Sequence, residues 1–423
     1  MTTRRSVLRL AGAVPAAALL AACRAEPAGP APSSAAPDRE LLVVDLAGGL
    51  AVLDSATGAP VRVAAPGATA WDGSALVAAT SADHQVLSST GRLDYAVPRL
   101  DGLGARVVSP GGQHVAFASG TAHGATSPYR PEGRSETTLA VVSKGGAPRT
   151  FTLPGCVEPE AFSSTGDLLY VLDYQPPRQP DSYRVRMVDV KTGQYGPLLT
   201  RDKAVIPAGA EEQMRGEGRA AVYARNRQLL FTLYTHQPEH EHTRDLLADD
   251  HGGARDDAPQ VHAFVHTLSL GGAFAYCIDL PAPFGHAPPE QHAIALAPIG
   301  EVPHVIDMAS GSVAVLDPNS LTVTTVRQVL PPANAAATAA TSRNGDMLFV
   351  AAGSTLHTLD VNTLTLSHTW TLGSATRGMV ASPRSGLLWV GLDESVVAVD
   401  PATGRVTATV SVPGLRGLRH VSG

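Results

Sequence analysis

The chain lacks every pattern that would mark a familiar catalytic centre. There is no G-x-S-x-G nucleophile elbow, no H-E-x-x-H, no P-loop, and no G-x-G-x-x-G set between a strand and a helix. Long amphipathic helical periodicity is missing too, which leaves helical bundles without support. Basic stretches interleaved with aromatics are absent and the formal net charge is −6, so nucleic acid is not an expected partner. Cysteine is scarce. Beyond Cys23, only Cys156 and Cys277 remain; they could pair in an oxidising compartment, but nothing in their spacing requires it, and two buried thiols is the simpler expectation. The one long apolar run, residues 10–22, is shorter than the ~20 residues that a membrane span needs.

That run belongs to an export signal. Residues 3–9 (TRRSVLR) resemble a twin-arginine motif, with Val7 where an aromatic is more usual, and LAAC at residues 20–23 resembles the bacterial lipobox. The expectation is a signal peptide over residues 1–23, lipidation of Cys23, export in the folded state, and an extracytoplasmic protein anchored to the cell membrane. A Pro/Ala/Ser-rich tether follows over residues 24–39, a composition that cannot bury a core.

From residue 40 to residue 423 one phrase recurs: an apolar strand ending in Asp, then a turn. It reads LAVLDSATG at 50–58, RMVDVKTG at 186–193, VAVLDPNSL at 313–321, HTLDVNTL at 357–364 and VVAVDPATG at 396–404. The Asp carboxylate is suited to accepting turn N–H groups and the Gly to a positive φ, so these aspartates read as structural rather than catalytic. Repeats of this period are single small sheets that bury their faces only against their neighbours. Eight units can be laid out, at residues 41–65, 70–97, 107–153, 161–200, 221–280, 293–328, 340–372 and 381–412; seven is the alternative count. The first unit lacks a leading strand. The C-terminal segment LRGLRHVSG aligns with the leading strand of the last unit, so the two chain ends are expected to close one ring.

The segments at 342–370 and 382–410 resemble the YVTN-type β-propeller repeat of exported prokaryotic proteins. The resemblance implies an all-β, single β-propeller of four-stranded blades. It supplies no functional residues, because this architecture hosts many unrelated roles.

Departures from the repeat carry the functional information. Units three, four and five are enlarged at the connection between second and third strands, at residues 119–138, 173–183 and 235–260, and the links at 201–218 and 281–291 are long as well. Long loops gathered over one sector point to a recognition surface. The insertion of unit five holds His236, His240, His242 and His251 among acidic residues, a donor set suited to Zn or Cu. Its spacing fits no closed structural-zinc pattern, so a solvated acidic loop is the alternative. Exported zinc-chaperone propellers set such a ring beside a His-rich segment, an analogy without a ligand motif to transfer. Aligning the leading strands also brings Glu158, His292 and Arg377 to equivalent positions with Arg219 nearby, at the mouth of the central channel. The reading is a non-enzymatic binding or scaffold protein that meets an envelope protein or extracellular ligand through the loops of units three to five. A metal-binding lipoprotein stands second, and a propeller hydrolase or lyase third.

Overall fold

The computed structural model describes residues 40–63, 65–120, 131–200, 211, 213–214, 217–235 and 261–422. Strands here are short, β-branched and separated by Gly, Pro, Asn and Asp turns, so each pairs with the next in an antiparallel meander. The result is eight sheets, each built on four antiparallel strands that are consecutive in the chain in every blade but the first. Blade 2, for example, runs Ala65–Thr69, Ala75–Ala79, Asp83–Ser88 and Leu93–Pro98. The architecture is an all-β, eight-bladed propeller.

Closure follows the expected route. Leu415–Ser422 is the innermost strand of blade 1, pairing antiparallel with Leu41–Leu46 from Leu41↔Ser422 to Leu46↔Leu415. A ring joined in this way has no open inner edge at either terminus. Glu40, just before the first strand, is buried and ties the seam to blade 8. Its carboxylate accepts from Trp389 Nε1 at 2.8 Å and from the Ser382 hydroxyl.

The innermost strands begin earlier than the unit boundaries read from sequence: Cys156–Phe162 rather than residue 161, and Glu217–Ala224 rather than residue 221. Their early positions carry Glu158 or Arg219, which interrupt the apolar pattern. The end of unit four also changes owner. Leu199–Thr200 lies parallel to Phe274–Leu280 on the outer edge of blade 5, while Gln213–Met214 pairs antiparallel beside the start of the third strand of blade 4.

The repeated Asp does the turn work expected of it. Asp54 Oδ1 accepts from the N–H groups of Ala56 and Thr57, and Asp360 Oδ1 from those of Asn362 and Thr363. Gly404 closes one such turn at φ 70°, and Leu364 takes the same position at φ 55°. Apolar packing lies between blades rather than at the centre. Val77 and Val97 of blade 2, for instance, share a cluster with Phe117 and Val142 of blade 3.

One turn leaves its own sector. Trp71, between the first two strands of blade 2, donates its indole N–H to Glu160 O on blade 4 at 3.1 Å and packs on the cluster between blades 4 and 5. Asp72 Oδ2 lies 3.8 Å from Arg225 of blade 5, and a Cβ on Gly73 would meet the His420 ring of blade 1. This segment therefore spans the ring's centre at the face opposite the enlarged connections.

Candidate functional site: the loop face of blades 3 to 5

The connections that interrupt the repeat leave the ring on one face. They join His114–Ser119 to Glu136–Ser143 in blade 3, Leu168–Gln175 to Ser182–Asp189 in blade 4, and Leu229–Thr235 to Ala263–Ser269 in blade 5. An aromatic row lies beneath two of them. Tyr174 and Tyr183 stand 5.5 Å apart by ring centroids, Tyr183 and Tyr234 5.4 Å, and Tyr234 and Phe264 5.3 Å. All four are buried, and burial pushes the Tyr183 phenol well above its ordinary pKa. Such a row gives adjacent loops a stiff base. Sequence reading missed it because it joins two cross-strand pairs, Tyr174 with Tyr183 and Tyr234 with Phe264, that meet only when blades 4 and 5 stack.

Glu158 is the electrostatic centre of this face. Its side chain is fully buried, and each oxygen takes a different guanidinium: Arg106 Nε at 3.0 Å and Arg134 Nη2 at 2.6 Å. Arg134 also donates to Val157 O and Thr137 Oγ1, and Arg106 to Gly120 O. Arg134 stands near the end of the blade 3 insertion, and Arg106, on the innermost strand of that blade, reaches Gly120 at its start, so one carboxylate is tied to both its entry and its exit. A second network lies on the second and third strands of blade 4. There Asp173 and Glu211 share Arg184 and Arg186, with contacts of 2.5 to 3.4 Å.

The other residues read as a channel mouth share the same end of the innermost strands. Glu158 is opposite Leu172, Arg219 opposite Tyr234, and His292 opposite Asp307, while the Arg377 N–H donates to Gly391 O. Their chemistry is not pooled. His292 Nε2 accepts from the Gly285 N–H at 3.1 Å, its Nδ1 donates to Pro288 O at 3.2 Å, and burial lowers its pKa, so the ring is neutral and engaged. Arg377 is exposed and pairs with Asp393 at 2.8 Å. Of Arg219 only the backbone is described. Among the described residues no hydrogen bond or ion pair joins Glu158, His292 and Arg377 to one another.

His236, His240, His242 and His251 lie outside the described residues, as does Cys23. Where that insertion leaves and rejoins blade 5, the rings of His262 and His286 stand 4.2 Å apart. Among the described residues, no group of three or more His, Cys, Asp or Glu is arranged to hold a metal ion. Cys156 and Cys277 are both buried, no disulfide joins them, and burial raises the Cys156 pKa.

Buried and half-buried histidines and turn aspartates set the acid response. Desolvation lowers the pKa of His84, His114, His292, His304, His357 and His420 below 6.5. Turn N–H groups hold Asp189, Asp360 and Asp400 below 3.8, and Asp317 likewise. In both classes the unfolded chain binds protons more readily than the folded one, so stability falls as pH falls. The histidine contribution is complete above pH 6.5 and is lost as pH drops toward the lower folded values; the aspartates add a second loss below about pH 3.8. A thermal midpoint that stays flat between pH 7 and pH 5 would count against the neutral, buried histidines.

No protein-family model matches the chain, and no curated protein matches its sequence. Solved structures match in shape. Two structures of AztD from Citrobacter koseri, one of them the apo form, superpose with TM-scores of 0.52 and 0.53 at 10% and 11% identity. Each comparison covers 90% of this chain and 96% of the other. At that identity the shared property is the fold: a β-propeller over nearly the whole length of both proteins.

Proposed function

We propose that this chain is a non-enzymatic binding or scaffold protein of the cell envelope that recognises a protein or extracellular ligand through the loop face of blades 3 to 5. The observation that carries the reading is the construction of that face. Three successive enlarged connections rest on a buried aromatic row and on a carboxylate that fastens two arginines. Anchoring of this kind where long connections leave their blades supports recognition, since binding residues are commonly carried on loops positioned by a rigid scaffold. The signal over residues 1–23, lipidation at Cys23 and the YVTN-type character of the repeats belong to the same reading. So do export in the folded state and a tether that lifts the ring from the membrane. Photo-cross-linkers at Arg178 and Glu132 on this face, and at Thr324 and Thr407 on outer strands, test it in native envelopes. The loop-face positions should yield one reproducible adduct that the outer-strand positions do not; equal labelling around the ring would overturn the proposal.

A second reading has its own observation. The close pair His262 and His286 flanks the His-rich insertion, so His236, His240, His242 and His251 would have imidazoles near their base, favouring a Zn or Cu binder. Titration of the mature protein with Zn²⁺ and Cu²⁺, beside a variant lacking residues 236–260, separates the two. Equal affinity in both forms removes the metal reading.

A further inference from the structure

On the opposite face, the seams between blades are sealed by a rule that one seam breaks. The outermost strands carry equivalent residues at one register position: Val97 opposite His84, Phe151 opposite Leu139, Ile278 opposite Val265, Trp370 opposite Leu356 and Val410 opposite Val396. All five are apolar and at least half-buried. Three lie directly beneath a turn glycine of the following blade. A Cβ on Gly193 would come within 2.5 Å of Phe151, one on Gly404 within 2.4 Å of Trp370, and one on Gly58 within 2.9 Å of Val410. In blade 6 the equivalent residue, opposite Val313, is Arg327. It is exposed and swings out to donate to Thr363 O of blade 7 at 2.9 Å.

A second filling group is missing at the same seam. Two residues earlier, blade 2 has Tyr95, whose hydroxyl donates to Gly112 O of blade 3 at 2.8 Å, and blade 5 has Tyr276, packed on the core shared with blade 6. Blade 6 has Thr325 there, too short to reach its neighbour. What remains is a cavity of about 420 Å³ between blades 6 and 7, within the ~300–1,000 Å³ range of small-molecule sites. Val302, Val315, Val361 and Leu364 line it together with the buried His304 ring, whose Nδ1 lies 3.1 Å from Val302 O. At the lip stands Ile299, 71% exposed.

We propose that this cavity binds a small amphiphilic carboxylate, its apolar body held between blades 6 and 7 and its charged end on the Arg327 guanidinium. Among the described residues no carboxylate pairs with Arg327. The acids of the two turns that flank this seam accept within their own turns, Asp360 from the N–H groups of Asn362 and Thr363 and Asp317 from that of Asn319. A guanidinium with N–H groups left over beside a cleft of mixed lining, valine and leucine side chains together with Thr325, Asn362 and Thr363, selects a planar anion with a short hydrophobic tail. The site faces away from the loops of blades 3 to 5, so it stands independently of the recognition surface proposed there.

Calorimetric titration of the full mature protein with octanoate and 4-phenylbutyrate, alongside the corresponding alcohols, tests this. One-to-one saturable binding of at least one carboxylate is expected, with its alcohol at least tenfold weaker. Arg327→Leu, which restores the apolar residue of the other seams at an exposed position, should weaken carboxylate binding at least tenfold. Thr325→Tyr, which supplies the group found in blades 2 and 5, should abolish it without lowering the thermal midpoint. Absence of saturable binding, equal binding of acid and alcohol, or Arg327→Leu binding as tightly as the native protein would each overturn the proposal.

Discussion

A chain ending at Gly414, without Leu415–Ser422, is expected to yield no soluble folded ring. That strand is the whole inner edge of blade 1, and it is held from both sides. It pairs along Leu41–Leu46, and the Leu418 N–H donates to Arg377 O of blade 8 at 2.7 Å. Its Leu415, Leu418 and Val421 are buried, each contributing about 1.5–3 kcal/mol of apolar burial. Their removal would also uncover Leu42 and Val44, both now fully buried, on a bare strand edge, the usual template for aggregation. Since a whole domain is stable by only about 5–15 kcal/mol, the loss is of the same order as the total. Size-exclusion chromatography of the truncated protein should show aggregate in place of monomer, with partial recovery when a peptide of residues 413–423 is present during refolding. A monomeric truncation with a cooperative melt would show that the seam is dispensable.

Glu158→Gln is expected to cost about 3–5 kcal/mol, the usual penalty for breaking a buried ion pair from one side. The charge deleted is the one that neutralises two guanidiniums whose side chains are only 7% and 15% exposed. The double variant Glu158→Gln with Arg106→Met should recover part of the loss, because it removes one of the stranded cations along with its partner. Urea denaturation of the three proteins measures this directly. If the single variant matches the native midpoint, water already screens the site and the carboxylate is not what pins the blade 3 connection.

How far the sequence could be read is visible in particular residues. The Asp-turn phrase located blades 1, 4, 6, 7 and 8, because a carboxylate capping its own turn is a local device and leaves a local signature. The pairing of Leu415–Ser422 with Leu41–Leu46 was legible for a related reason, since a missing strand at one end matched a surplus strand at the other. Eight sheets, not seven, follow from blades 2, 3 and 5, whose turns are too altered for the phrase to count them. Glu158 was legible as a position but not as a bridge. Its partners Arg106 and Arg134 lie on another blade, and only the ring's curvature brings them within 3.0 Å of it. The Tyr174–Phe264 row and the reach of Trp71 were hidden for the same reason. The cavity beside Arg327 needed a comparison of blades at fixed register, and that register is known only once the strands are paired.

The span made by Trp71, Asp72 and Gly73 has a consequence for whatever meets the other face. In a ring held only by neighbour-to-neighbour packing, strain passes from blade to blade; here an indole bonded to Glu160 links blade 2 directly to a blade two places away, and Asp72 lies near Arg225 of blade 5. A load taken up at the loops of blades 4 and 5 is therefore shared with blade 2 as well as with the adjoining blades.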